Sequence, residues 1–218
     1  MKRGNLMCTK IMSQNASHIL KARDIPDRLL TKADIAEGIT ILDEAVFQDL
    51  THLCEVVFPE SLLRIRQYAF SGCTALKEVR IPKSVENLGA GLFCGCSSLE
   101  KVVLPECVTK IGSRFFYGCS SLTDLVLPCV QEIHMEAFVG CSALEGLCLP
   151  EGLARIGKRA FCGASGLLDL VIPSSVIRIE QEAFLDCDNL KSVTIPERFS
   201  ELMEEIFGRR EFENLIFT

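Results

Sequence analysis

The side chains best equipped for chemistry in this chain are its cysteines. Twelve occur in 218 residues, and Cys73, Cys96, Cys119, Cys141 and Cys187 follow one another at a regular spacing, with Cys94-Gly95-Cys96 adding a nearby sulfur. Thiolates can hold zinc, but a zinc site needs four ligands converging on a tetrahedron, usually from short paired spacings and often with histidine. A row of thiols that all point one way does not converge, so no metal is assigned. His18, His52 and His134 share no common spacing. Without a histidine brought to a nucleophile, neither a Cys-His nor a Ser-His-Asp assembly can be drawn. The glycines follow a long period rather than a phosphate-loop pattern. Asn15-Ala16-Ser17 is a three-residue glycosylation pattern, read as chance. No catalytic residue and no cofactor is therefore assigned. The ladder thiols read as small buried hydrophobes at a turn. Neighbouring thiols with the same side-chain direction have poor disulfide geometry.

What positions those cysteines is a repeat. Seven of the eight prolines fall at 59, 82, 105, 128, 150, 173 and 196, at intervals of 23, 23, 23, 22, 23 and 23. Phenylalanine keeps the same period at 47, 70, 93, 116, 138, 161, 184 and 207, with its short interval between 116 and 138. The two series together place a one-residue deletion between Pro128 and Phe138. Two residue types locked to one period specify a solenoid. In the copy that begins at Leu76, Leu76-x-x-Val79-x-Ile81 alternates apolar and polar residues and reads as a short strand with one face inward. Pro82 closes it, having no amide for the next ladder bond. The second half of the unit reads as a turn of helix or a second short extended piece on the opposite wall. Gly72, Gly95, Gly118, Gly140 and Gly163 mark a corner that needs positive φ. One unit of this size cannot bury its own apolar residues; stacking at ~4.8 Å per strand buries them against their copies, with the phenylalanines as an internal column.

The pattern Ile-Gly-x-x-Ala-Phe-x-Gly-Cys-x-x-Leu-x-x-Val-x-Ile-Pro resembles the BspA-like, or Treponema-type, leucine-rich repeat. It is matched most closely at Ile111-Gly-Ser-Arg-Phe-Phe116-Tyr-Gly-Cys119 and Ile156-Gly-Lys-Arg-Ala-Phe161-Cys-Gly. The resemblance covers about residues 30–217. It implies an α/β repeat solenoid, a curved right-handed superhelix whose parallel sheet lines the concave side. It also implies a binding role, commonly at microbial surfaces and towards host or partner proteins, and supplies no catalytic motif. Ala36 stands where the first proline is expected, and Leu50 and Ala164 stand at ladder-cysteine positions. Residues 1–29 fit the repeat poorly and are expected to form an N-terminal cap, with Ile19, Leu20, Ile25 and Leu29 covering the first repeat. Residues 30–218 hold the repeats, the last compressed into a C-terminal cap. Within it, Ser200 to Arg210 reads as a short helix N-capped by Ser200.

A formal net charge of -6 argues against a general nucleic-acid or anionic-membrane binder, and no interleaved aromatics suggest a single-strand platform. No apolar run approaches the ~18 residues of a membrane span, and no apolar stretch follows the basic first residues. With so many unpaired thiols the expected location is cytoplasmic; a cell surface or secreted place in an anaerobic setting satisfies the same condition.

The outward column of the strands runs Asp34, Val57, Arg80, Val103, Val126, Cys148, Val171, Thr194, with Asp124 and Asp169 in the row beside it. β-branched residues suit a parallel strand, and an apolar strip also suits a partner that covers it; both readings stand at this point. The leading expectation is a non-enzymatic protein-interaction module, with Arg80, Val103, Asp124, Val126, Cys148, Asp169 and Val171 as its contact residues. A microbial adhesin is the second reading, and an enzyme with an unrecognised site the third. The expected partner is a protein of unknown identity, and the sequence leaves the oligomeric state open.

Overall fold

The computed structural model describes residues 8–11 and 18–218. Residues 1–7 and 12–17 of the segment read as a cap, including the glycosylation pattern at 15–17, lie outside the described residues. The chain winds into a parallel-sheet solenoid of about nine turns. In chain order the turns contribute β1 (Cys8–Ile11) and β2 (Ile19–Leu20), β3 (Lys32–Ile35) and β4 (Ile41–Leu42), β5 (Glu55–Val57) and β6 (Arg64–Ile65), then β7 (Glu78–Arg80) and β8 (Asn87–Leu88). They continue with β9 (Lys101–Val103) and β10 (Lys110–Ile111), β11 (Asp124–Leu125) and β12 (Glu132–Ile133), and β13 (Arg155–Ile156) alone. After these come β14 (Asp169–Val171), β15 (Arg178–Ile179), β16 (Ser192–Ile195), a helix α1 (Met203–Phe207) and β17 (Asn214–Phe217).

These strands stack as two walls, all pairs parallel. The first wall holds β1-β3-β5, then β7-β9-β11, then β14-β16-β17; the second holds β2-β4-β6-β8 and β10-β12-β13-β15. The register follows the repeat, with Val79 opposite Val102 and Ile65 opposite Leu88. So the second half of each unit is the short extended piece, not a turn of helix. Alternation does the sorting on the first wall. Val79 and Ile81 are buried while Glu78 and Arg80 are exposed.

A third wall of turns carries the phenylalanine column. Phe47, Phe70, Phe93, Phe116, Phe138, Phe161, Phe184 and Phe207 are all buried, with successive ring centroids 4.9–5.8 Å apart and near-parallel planes. Phe115 fills the small-residue position beside Phe116 and meets it edge-on at 4.8 Å. This wall is bonded between turns much as a sheet is. The amides of Tyr68, Phe70 and Gly72 donate to the carbonyls of Ala90, Leu92 and Cys94 in the next turn, and other turns repeat the set.

Holding those amides parallel requires two left-handed residues per turn, four apart. The corner glycines expected from the sequence are one set, at φ of 70–74°. In the turns at either end Asp49 and Asp186 hold the same conformation, which Asp adopts more readily than most residues. The other set is Ala45, Tyr68, Gly91, Arg114, Glu136, Arg159 and Glu182, of which one alone is glycine. Each non-glycine member costs on the order of 1–2 kcal/mol, offset by the inter-turn bonds it aligns.

At the N-terminal end β1 pairs with β3 and β2 with β4, so the segment read as a cap adds strands to both walls. Leu20 is buried there and Ile25 packs against the core, whereas Leu29 points to solvent and Leu30 takes the core position instead. The C-terminal helix differs from expectation. Ser200 does not cap it, because the backbone is already turning as a 3-10 helix over Glu197–Leu202, and α1 starts after Leu202 without a side-chain cap. Glu205 and Ile206 accept the amides of Glu182 and Phe184, so the helix closes the third wall. Arg210 donates to the carbonyls of Cys187, Asp188 and Leu190 and lies over the Phe212 ring.

Candidate interaction face

The ladder cysteines occupy the third wall immediately after the corner. Each is buried, and each thiol donates to the carbonyl of the phenylalanine one turn back. Cys73 reaches Phe47 O, Cys96 Phe70 O, Cys119 Phe93 O and Cys141 Phe116 O, each at 3.1 Å, and Cys187 reaches Phe161 O at 3.2 Å. The position therefore takes a small side chain that also carries a weak donor, which goes beyond the hydrophobe read from the sequence. Burial pushes the thiols of Cys73, Cys141 and Cys187 up to about 12, and those of Cys96 and Cys119 well above their usual range for the same reason. Such thiols are poor nucleophiles and poor metal ligands.

The eleven cysteines whose side chains are described are all free. Cys54, Cys107, Cys129 and Cys148 are exposed. Titration of the native protein with a thiol reagent is expected to show a fast class of these four, with the five ladder thiols reacting only on unfolding. Rapid labelling of Cys96 or Cys119 in the native state would contradict the buried ladder. The histidines have separate partners: His18 Nδ1 lies 2.7 Å from Gly38 O, His52 contacts Thr51, and His134 lies 3.2 Å from Glu132. Among the described residues no three His, Cys, Asp or Glu side chains group as a metal site requires.

The outward column of the first wall is where exposed apolar surface gathers. Val126 is 68% exposed and Val171 63%, with Cys148 exposed in the turn between them. Val57 is 40% exposed, while Val103 is half-buried. Arg80 stands exposed in the same column on β7. Cys148 departs from expectation in one respect: residues 146–149 form no strand, so this member of the column sits on an irregular stretch. The inward neighbours Leu125 and Leu127 are buried, which fixes the outward direction of Val126.

The row beside it is less acidic in effect than its composition. Lys32 pairs with Glu55 at 2.6 Å and Lys101 with Asp124 at 2.5 Å across adjacent turns, while Glu78 and Asp169 have no ion pair among the described residues. On the second wall Lys110 pairs with Glu132 at 2.8 Å and Arg155 with Glu180 at 2.5 Å. The hydrogen bond from Lys110 holds Glu132 below its usual range; at Glu180, burial pulls the other way and is outweighed by Arg155, the Lys158 amide and Arg178. Exposed pairs of this kind add little to stability and chiefly fix side-chain directions.

One element of this face was not anticipated. Where the first wall ends, Arg80 and Val103 border a groove of ≈ 530 Å³ running between the proline turns, lined also by Glu60, Lys83, Pro105 and Cys107. Its signal in the sequence was the proline period itself. Pro82 and Pro105, one period apart, are both among its lining residues.

The family model described as the BspA type leucine rich repeat region matches residues 27–145 and 109–218, in six copies. Among solved structures, a leucine-rich repeat protein from Bacteroides ovatus is 24% identical with a TM-score of 0.62, covering 88% of this chain and 61% of that one. The leucine-rich repeat protein of Treponema pallidum is 24% identical with a TM-score of 0.58, over 85% of this chain and 74% of that one. The pneumococcal vaccine antigen PcpA is 21% identical with a TM-score of 0.54, over 87% and 55%. The chain thus spans 61% of the length of the Bacteroides relative. No curated protein matches it.

Proposed function

Since the chain belongs to the BspA-type leucine-rich-repeat family, we propose that it is a non-enzymatic protein-binding module whose first wall is covered by a protein partner. The observation that carries this reading is the run of Val126, Cys148 and Val171, exposed apolar side chains in the same column of three successive turns. The buried neighbours Leu125, Leu127, Leu170 and Ile172 aim the two valines outward, and the second wall and phenylalanine column run unbroken behind them, so little side-chain ordering is needed when a partner covers them. Among the described residues Arg80 and Asp169 have no ion-pair partner, and their charges beside the strip would serve to orient a partner. Asp124 acts through its pair with Lys101. A reducing setting for this binding would suit the eleven free thiols of the described residues.

Val126→Glu tests the reading. A carboxylate at the centre of an apolar contact must be desolvated without a counter-charge, so partner capture is expected to fall by more than ~30-fold, about 2 kcal/mol. The fold should persist, because the side chain already faces solvent. Arg64→Glu, on the second wall, is the control, since Arg155 is tied to Glu180 whereas Arg64 has no ion pair among the described residues. Capture unaffected by Val126→Glu, with circular dichroism unchanged, rejects the first wall as the interface. Loss with Arg64→Glu alone moves the partner to the second wall. Captures from lysate and from exterior fractions, run side by side, separate a cytoplasmic partner from the host or surface partner of an adhesin.

A further inference from the structure

The one-residue deletion has a precise location and a structural cost. Where the turn is complete, two residues separate the proline from a buried aliphatic residue, whose amide bonds back to the proline carbonyl. Leu62, Val85, Val108, Leu153 and Val176 do this at 3.0–3.2 Å. In Pro128-Cys129-Val130 one residue separates them and the bond is missing, although Val130 still reaches its buried position. The main chain takes a shorter path, and the first wall comes apart around it. β11 has two residues where β7 and β9 have three, and residues 146–149 form no strand. β11 still pairs with β9 as far as Leu125 opposite Val102, and among the described residues no strand pairing joins 127–129 or 145–149 to a neighbouring turn.

The other two walls are continuous through the same place. On the second wall β10-β12-β13-β15 is unbroken, with Glu132 opposite Arg155 and Ile133 opposite Ile156. On the third, Phe116, Phe138 and Phe161 stack at 5.3 and 4.9 Å, and the amides of Gly118 and Gly140 donate to Val139 and Cys162. Elsewhere the first wall also lapses between β5 and β7, but there a strand remains on each side. At residues 146–149 two successive inter-turn junctions are open. Gly146 adds to the freedom, since even a methyl group there would touch nothing within 4 Å.

We propose that this turn is a one-sided hinge: the first wall opens at residues 126–129 and 146–149 while the second wall and the phenylalanine column stay closed and act as the pivot. The solenoid is then two stiff blocks joined along one line rather than a uniform spring. This inference is independent of whether the first wall binds a partner.

Residue-resolved amide hydrogen exchange of the full chain tests it. Leu127 and residues 147–149 are expected to exchange at least ~10-fold faster than Val102 and Val103 of β9, while Ile133 and Ile156 remain as slow as β9. Inserting a serine after Cys129 restores the full-length turn and should slow residues 147–149 towards β9. If that variant fails to fold, deleting Ser84 makes the reverse change and should transfer fast exchange to residues 101–103. Three results overturn the hinge: slow exchange at 147–149 in the native chain, equally fast exchange at Ile133 and Ile156, or a folded length variant that leaves the exchange pattern where it was.

Discussion

Phe116→Ala is expected to lower the stability of the chain by ~3–5 kcal/mol. Its ring is fully buried between Phe93 at 5.8 Å and Phe138 at 5.3 Å, with Phe115 edge-on at 4.8 Å. Truncation leaves a cavity at the middle of the column and strips one face from each stacked neighbour. Because repeats are stabilised by the turns on either side, a defect there weakens two junctions at once. Phe207→Ala should cost less, since Phe207 stacks on Phe184 alone and is otherwise covered by the edge of Phe212. Denaturant titrations of the two variants compare them directly, and equal losses would reject the ordering.

The second large effect is a loss of stability in alkali. In the unfolded chain a cysteine ionises near its ordinary value of 9.0, whereas burial holds Cys73, Cys141 and Cys187 protonated up to about 12. Between those values the unfolded state binds fewer protons than the folded one, so stability falls as pH rises. The contribution is complete below pH 9 and declines by up to ~1.4 kcal/mol per thiol per pH unit as pH climbs from there towards 12. At pH 10 these three thiols together account for about 4 kcal/mol, against the ~5–15 kcal/mol that holds a typical domain folded. Urea midpoints at pH 8 and pH 10 measure the decline. Cys141→Ala should make it shallower, and alanine suits the site because Ala164 occupies the same ladder position in the next turn, fully buried. An unchanged pH dependence in that variant would remove Cys141 from the account.

The repeat, the phenylalanine column and the inward face of the first wall were legible because each is a matter of residue type at a fixed interval. Period two marks Val79 and Ile81, and the long period marks Phe70 and Phe93. Half of the backbone geometry was not legible. The left-handed corner at Gly72 shows itself through glycine, but its partner at Tyr68 does not. The equivalent residues include Ala45, Arg114 and Glu136, and the conformation there is imposed by hydrogen bonds to the next turn rather than chosen by the side chain. The thiol-to-carbonyl bonds were hidden for a similar reason. Cysteine reads as a small hydrophobe until the phenylalanine carbonyl one turn back is in place. At the candidate face, exposure of Val126 and Val171 followed from alternation, whereas the irregular setting of Cys148 goes with the length of a turn that begins at Pro128.

That shortened turn also bears on how such a chain can change length without losing its phase. Omitting a residue between Pro128 and Val130 disturbed one wall locally, yet Phe138 stacks in the column as if nothing had been removed. The third wall has no comparable slack. Its two left-handed residues must remain four apart, and three amides per turn must meet three carbonyls. The turn after each proline is therefore the port through which this architecture accepts insertions, tags or grafted loops. Residues added between Pro105 and Val108 should be absorbed there, whereas a single residue added between Arg114 and Gly118 would throw every later turn out of step with the column.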